Sequence, residues 1–498
     1  MSAAEYKVLR GGLLLDIVNR TTSYADILIE GDTVGEIGPP GMAAPAHATA
    51  IDADDRLVVP GLINAHTHGH GSLGKGLGDK WSLELLLNAS PWASGGFSLE
   101  DKKTAALLNA VEMVKKGCTA AYDMYFEFPT ATLDGIGAIA DAYAEVGVRV
   151  QLAPMMADTP LYRAIPGLIE AIPEPHRAEV EKLKAASPED HLAACRSILQ
   201  NWRHSFDSVR PALGPTIPLH CSDDFIVGCR DLARDYDIGI QMHLAESKIQ
   251  AVAGISRYGK TLTAHIHDLG LIGSKFTGAH GVWLDDDDIA RLGDRGASIA
   301  HNPGSNMRLG SGIAPARRMI EGGLNFGIGT DGSVSSDNQN MFEAMRMAAF
   351  ASRVVSPDPA DWLGTWDVLR AATLGGARVM GMDDQIGQIA PGYKADIVLL
   401  DLDNVNFVPL NNAANQIVNC EDSSAVLTVM IGGRMVMQDR KFIGIDYALL
   451  REKVAEATAR LSEANAETKA RMEALTPFVS AHCVGLACQH YHVRSAIH

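Results

Sequence analysis

The chain opens in short alternating apolar and polar runs. "YKVLRGGLLLD" (6–16) and "ADILIEGDTVGEIGP" (25–39) are broken by Gly and Asp, the pattern of short strands. A loop of Ala, Pro and Gly (38–50) follows, and the pattern then changes. From residue 57, an apolar run, a loop and a helix-like stretch recur eight times. The strand candidates are 57–66, 118–124, 148–155, 209–215, 239–245, 276–282, 297–302 and 325–331. Between them lie stretches such as "SLEDKKTAALLNAVEMVKKG", which opens with a capping box at Ser98 and Asp101, and "PEDHLAACRSILQNWRHSF".

Eight strand-then-helix units predict an α/β fold, a (β/α)8 TIM-like barrel. A doubly wound sheet also alternates, but no Gly-rich nucleotide turn accompanies these units. After the last unit the β pattern returns in "IGQIAPGYKADIVLLDLD" and "AVLTVMIGGRMVMQDRKFI". The expected organisation is therefore a small β-sandwich from 1–56 and 386–445, a barrel over 57–385, and a C-terminal helix with a tail over 446–498. The helix itself is expected over 446–474.

Composition narrows the function classes. With 47% hydrophobic and 21% charged residues in 498, the chain has a large core. A net charge of −17 argues against nucleic acid or an anionic membrane as partner. The N-terminus carries no leader pattern, and no apolar run reaches the roughly 18 residues of a membrane span. Seven scattered cysteines do not form a disulfide framework. These features predict a cytoplasmic protein acting on a small molecule.

Barrel sites gather at the carboxyl ends of the strands. The first ends in "LINAHTHGHG", with His66, His68 and His70 at alternating positions, which an extended strand aims to one side. His70 sits between Gly69 and Gly71, where the strand is expected to dissolve, so its direction is open. "GIQMHLAES" supplies His243 and Glu246, "FTGAHGVWLDDDD" His280, "ASIAHNPGSN" His301, and "NFGIGTDGS" Asp331. Five of eight strand ends carry imidazole or carboxylate, which points to a metal-assisted site.

The combination "NAHTHGHG", "MHLAE", "GAHGVWL", "HNPGSNMRLGSGIAP", "GIGTDGS" and "IGQIAPGYKADIVLLD" resembles the amidohydrolase superfamily. The resemblance is to its deaminase and chlorohydrolase branch, which includes S-adenosylhomocysteine and guanine deaminases and the triazine hydrolases, and it runs to about residue 445. It implies one divalent metal, zinc or iron, on His66, His68, His243 and Asp331. Imidazole nitrogens and a carboxylate suit such an ion, and a position left to water makes the site catalytic. Glu246 is then the proton shuttle, His280 holds or polarises the water, and Asp331 doubles as base. A second metal is not expected, because "VRPALGPTIPL" has no Lys, Asp or Glu.

The resemblance implies a metal-dependent hydrolase acting on C–N bonds, foremost a hydrolytic deaminase, or an amine- or halide-displacing hydrolase, of a nitrogen heterocycle. Amide, carbamate or urea hydrolysis would use the same ligands, and the released product separates the two. A third alternative, an inactive scaffold, would be expected to lack a ligand or acid residue, and none is missing. Homo-oligomers, dimeric or tetrameric, are also implied.

Substrate contacts are sought among His70, Trp81, Trp92, Tyr125, His301 and Asn306. Trp81, Trp92 and the run Tyr122, Tyr125, Phe126 and Phe128 form either an aromatic wall or ordinary loop packing. His301 either touches substrate or supports its loop, and Asn306 either faces substrate or caps that loop. Lys75-Gly76 stands where the nucleoside-like deaminases commonly carry Arg-Gly, which weakens a nucleoside assignment. His265 and His267 read as structural, and the four aspartates 285–288 as a helix start. The tail "AHCVGLACQHYHVRSAIH" has no standard zinc spacing; packing on a neighbouring subunit or a cloning remnant is the simpler reading.

Overall fold

The computed structural model describes residues 5–174 and 176–493. Eight parallel strands form the barrel in chain order: β1 (Leu62–Thr67), β2 (Cys118–Phe126), β3 (Arg149–Met156), β4 (Val209–Pro215), β5 (Gly239–Leu244), β6 (Phe276–His280), β7 (Ser298–His301) and β8 (Asn325–Ile328). β1 and β8 meet at the mouth, where the Asp331 N–H donates to the His66 carbonyl at 2.9 Å. That approach requires glycine at 329, since a Cβ there would stand 2.8 Å from the His66 nitrogen.

The expected first strand, 57–66, is two strands in different sheets. Arg56–Pro60 pairs antiparallel with Ile397–Asp401, and β1 begins only after Gly61. Pro60 has no N–H to continue a ladder, and a Cβ at Gly61 would collide with Thr119, so the chain changes sheets there. Arg56–Pro60 and Ile397–Asp401 join the N-terminal and post-barrel segments into one nine-stranded mixed sheet. The expected sandwich is thus a continuous sheet with its own apolar cluster, including Leu9, Ile27, Val58, Ile397 and Met430.

The helices start where their caps predict. Ser98 and Asp101 form the capping box of Leu99–Lys115, and Asp285 caps Asp286–Asp294, placing the acidic run at the positive end of a helix. His265 and His267 lie on the helix Leu262–Asp268. His265 stacks on Tyr258 at 3.7 Å and bonds Asp223, as a structural role requires.

The C-terminal region departs from expectation. In place of one helix ending at 474 there are two, Tyr447–Ala464 and Ala466–Ala487, and the second runs through Pro477 into the tail. Burial of Met472, Leu475, Val479 and Cys483 outweighs the backbone bond that proline removes. These side chains pack with Ala89, Trp92, Tyr162 and Ile249 from elements above the barrel mouth. The described part of the tail lies on its own chain: His482 bonds the Pro166 carbonyl, Tyr491 meets Trp283, and His492 bonds Asp285. The end of the tail, 494–498, lies outside the described residues. No helix among the described residues is long and apolar enough to cross a membrane.

Candidate active site

His66, His68, His243 and Asp331 converge at the carboxyl end of the barrel. His68 Nε2 lies 3.1 Å from His243 Nε2, and Asp331 Oδ1 lies 3.5 Å from His66 Nε2 and 3.3 Å from His68 Nε2. The other ring nitrogen of each histidine is anchored. His66 Nδ1 meets Gln241 Oε1 at 2.7 Å, His68 Nδ1 the Met124 carbonyl at 2.6 Å, and His243 Nδ1 the Thr216 carbonyl at 2.7 Å. All three acceptors are oxygens, so each Nδ1 carries the proton and donates it. Each Nε2 therefore presents a lone pair to the same point.

Two imidazole lone pairs 3.1 Å apart repel unless a cation lies between them. Tetrahedral ligands roughly 2.0–2.1 Å from zinc stand about 3.4 Å from one another, close to the separations found. His66 Nε2 is buried with no hydrogen-bond partner. The donor set thus fits a divalent ion with His and carboxylate ligands. Among the described residues, the groups able to hold a metal are all in this cluster, as His66–His68–His243 and His66–His280–Asp331.

Electrostatics keep the donors in their ligating forms. Burial, reinforced by His66, lowers the His68 pKa to about 4, and burial with His66 and His68 holds His243 well below its usual range. Burial alone would raise Asp331, but the adjoining imidazoles of His66 and His68 hold it well below the carboxylate range. Asp331 Oδ2 also accepts the Ser305 hydroxyl at 2.6 Å. Asp331 and His280 occupy positive φ, +64° and +77°, a strain that persists where the surroundings over-determine it.

Glu246 and His280 face each other beside this cluster, with Glu246 Oε2 3.6 Å from His280 Nε2. Both atoms are buried and unpartnered. Burial, with Asp331 and Glu84 adding to it, pushes the Glu246 carboxyl well above its ordinary value and so favours its protonated form. His280 Nδ1 donates to Asn306 Oδ1 at 2.8 Å, and burial lowers its pKa to about 4. His280 is therefore neutral, with an acceptor nitrogen in the site.

The substrate candidates divide. His70 stays near the cluster, its ring 5.6 Å from that of His68, and its Nδ1 accepts the Phe126 N–H. Asn306 turns to His280 rather than forming only a loop cap. His301 is buried against Phe326, 5.3 Å between ring centres. Tyr125 does not join an aromatic wall: it is buried in the main core shared by the barrel and its helices, while Tyr122 and Met124 pack together in a separate cluster. Trp92 lies under the C-terminal helix with Trp81 beside it, 6.1 Å away, and Phe128 is exposed.

Sequence reasoning missed Gln241, Ser305 and Glu84. Gln241 had a signal, since it stands two residues before His243 on a strand and shares its face. Ser305 and Glu84 had none, because the partners that tie them to the site, Asp331 and Ser247, are remote in sequence.

The parallel barrel thus gathers at its strand ends imidazole and carboxylate groups able to hold a divalent ion. Residues 57–436 match the model of the amidohydrolase family, and the chain belongs to that family. It is 31% identical over 458 residues to a 5-methylthioadenosine/S-adenosylhomocysteine deaminase of Syntrophobacter fumaroxidans, covering 91% of this chain and 97% of that one. It is 32% identical over 439 residues to a 5'-deoxyadenosine deaminase of Methanothermobacter thermautotrophicus (88% and 94%). Among solved structures it resembles a zinc-bound adenosine deaminase of Xanthomonas campestris, with TM-score 0.80, 26% identity and coverage of 92% and 98%. It also resembles an atrazine chlorohydrolase of Arthrobacter aurescens complexed with zinc, with TM-score 0.79, 25% identity and coverage of 91% and 99%. The protein is a metal-dependent hydrolase of the amidohydrolase type, acting on C–N bonds.

Proposed function

We propose that the protein hydrolytically removes an exocyclic amino group from a purine or closely related heterocycle, using one zinc ion on His66, His68, His243 and Asp331. The observation that carries this reading is the convergence of three Nε2 lone pairs on one point beside Asp331. The relatives named as adenosine-type deaminases support the substrate class. Bound there, the ion supplies a Lewis acid that makes water nucleophilic near neutral pH.

The chain's own residues do the rest. Neutral His280 accepts a hydrogen bond from the attacking water through Nε2 and fixes its direction. Protonated Glu246 gives its proton to the ring nitrogen beside the attacked carbon, so negative charge does not build up on the ring. Water adds to that carbon and gives one proton to Glu246, which passes it to the amino group; as ammonia leaves, the hydroxyl becomes the carbonyl and returns its remaining proton to Glu246. His70 contributes to the pocket wall. The enzyme is proposed to work in the cytoplasm as a homo-oligomer, a dimer or tetramer. Exposed Phe350 and Val354, on the helix Met341–Val355, are suited to a subunit contact.

The test is a product screen with metal analysis on the same sample. Purified protein is offered adenine nucleosides, free aminopurines, pterins, aminotriazines, and aryl amides, carbamates and ureas. Ammonia from an aminoheterocycle is expected, with stoichiometric zinc that His66→Ala loses. Release of an acid or carbon dioxide with an amine, or metal content unchanged by His66→Ala, overturns the reading.

A further inference from the structure

Glu84 is a carboxylate that this chemistry does not use. It lies in the first turn of the helix Leu83–Ala93 and is 1% exposed, and no Lys or Arg pairs with it among the described residues. Leucines occupy positions 83, 85, 86 and 87 of the same helix. A leucine at 84 would escape the cost of burying an acid without a cation. The carboxylate must therefore serve something other than packing.

Its partners lead to Glu246. Glu84 Oε1 accepts the Ser247 hydroxyl at 2.7 Å, and Oε2 accepts the Ser82 hydroxyl at 3.0 Å. Ser247 directly follows Glu246 and caps the helix Lys248–Tyr258, its Oγ accepting the Gln250 N–H. Gln250 Oε1 in turn accepts the Glu246 N–H at 3.0 Å. Ala245, on the other side of Glu246, has φ +50°, unfavourable for a residue with a Cβ. A strained turn of this kind persists only where its neighbours hold it: the Trp283 N–H donates to the Ala245 carbonyl at 2.9 Å on one side of Glu246, and the Glu84 side chain reaches Ser247 on the other.

Glu84 is itself braced. Asn88, one turn further along the same helix face, accepts the Tyr162 hydroxyl at 2.7 Å and donates to the Met472 carbonyl of the C-terminal helix at 3.0 Å. The hydrogen bonds thus connect the last helix of the chain to the turn that carries Glu246.

We propose that Glu84 is a positioning residue for Glu246, fixing through the Ser247 hydroxyl the strained turn that aims the Glu246 carboxyl into the site. This rests on the reading of Glu246 as the proton shuttle. The acceptor oxygen is what matters, so glutamine, which keeps an oxygen for Ser247, preserves the function.

The test uses full-length zinc enzyme and compares Glu84→Ala, Ser247→Ala, Glu84→Gln and Glu246→Gln for zinc content, kcat and KM. Glu84→Ala and Ser247→Ala are expected to lower kcat on the order of 10- to 100-fold, with full zinc content and KM within about threefold. Glu84→Gln is expected to stay within about threefold of the parent kcat. Should Glu84→Ala fail to fold, Ser247→Ala carries the test, because it removes only a hydroxyl. The proposal is overturned if Ser247→Ala keeps the parent kcat, if Glu84→Gln falls as far as Glu84→Ala, or if lost activity follows lost zinc. If instead Glu246→Gln keeps full turnover, the shuttle reading itself has failed, and Glu84 has nothing to position.

Discussion

Asn306 Oδ1 lies 2.8 Å from His280 Nδ1, and this contact decides what His280 can do. Because the amide oxygen accepts the Nδ1 proton, Nε2 is left as an acceptor facing Glu246 across 3.6 Å. Without it the Nδ1 proton loses its acceptor, and the group left beside that nitrogen is the donor Asn302 Nδ2 at 3.4 Å, which favours the other tautomer. Asn306→Leu should lower kcat by about 10- to 100-fold, the usual cost of losing an orienting partner. Zinc content should not change, since Asn306 touches none of the proposed ligands. Unchanged turnover would show that His280 needs no orientation.

Gln241 plays the corresponding part for His66, accepting its Nδ1 proton at 2.7 Å while donating to the Ala65 carbonyl at 3.0 Å. The other two proposed histidine ligands use backbone carbonyls, so Gln241 is the one anchor of the three that a substitution can remove. Gln241→Leu should weaken zinc binding by about 10- to 100-fold, read by competition with a chelator. At saturating zinc most of the activity should return. If affinity is untouched, the Gln241 bond is incidental to metal binding.

These relationships show where the sequence was readable. Seven of the eight barrel strands lie within a few residues of the apolar runs that predict them, because buried parallel strands leave an unmistakable pattern. The first was misjudged because the apolar run through Pro60 and Gly61 continues across a change of sheet. His66, His68, His243, Glu246, His280 and Asp331 were readable because the barrel brings strand ends together. Tyr125 was misplaced because adjacent strand residues face opposite sides, so Tyr122 and Tyr125 could not share one wall. The C-terminal helix ran past its expected end because Pro477 is outweighed by contacts with segments some 300 residues away, which periodicity does not encode.

Glu246 is the proton donor of the proposed reaction, and Glu246→Gln keeps its shape while removing the proton. The Glu246 N–H bond to Gln250 Oε1 does not involve the Glu246 carboxyl, and no proposed ligand depends on that carboxyl. Zinc content and melting temperature should therefore stay near the parent values while kcat falls by roughly 100- to 10,000-fold. Substantial turnover in this variant would remove Glu246 from the proton pathway.

Asp288 provides a pH signature of folding away from the site. Its carboxyl is buried in the first turn of the helix Asp286–Asp294, where it accepts the Thr261 hydroxyl at 2.6 Å. Burial raises its pKa from 3.8 to about 6, with Asp285 adding to the rise. The folded state then holds this proton more tightly than the unfolded chain, so the native carboxylate loses stability as pH climbs from about 4 to 6. Above that the penalty is constant, at most about 3 kcal/mol. Asp288→Asn keeps an acceptor for Thr261 and has no proton to lose. Its melting temperature relative to the parent should therefore rise between pH 4 and pH 6 and level off beyond. A difference that stays flat across this range, or falls, would mean that Asp288 is not held protonated by burial.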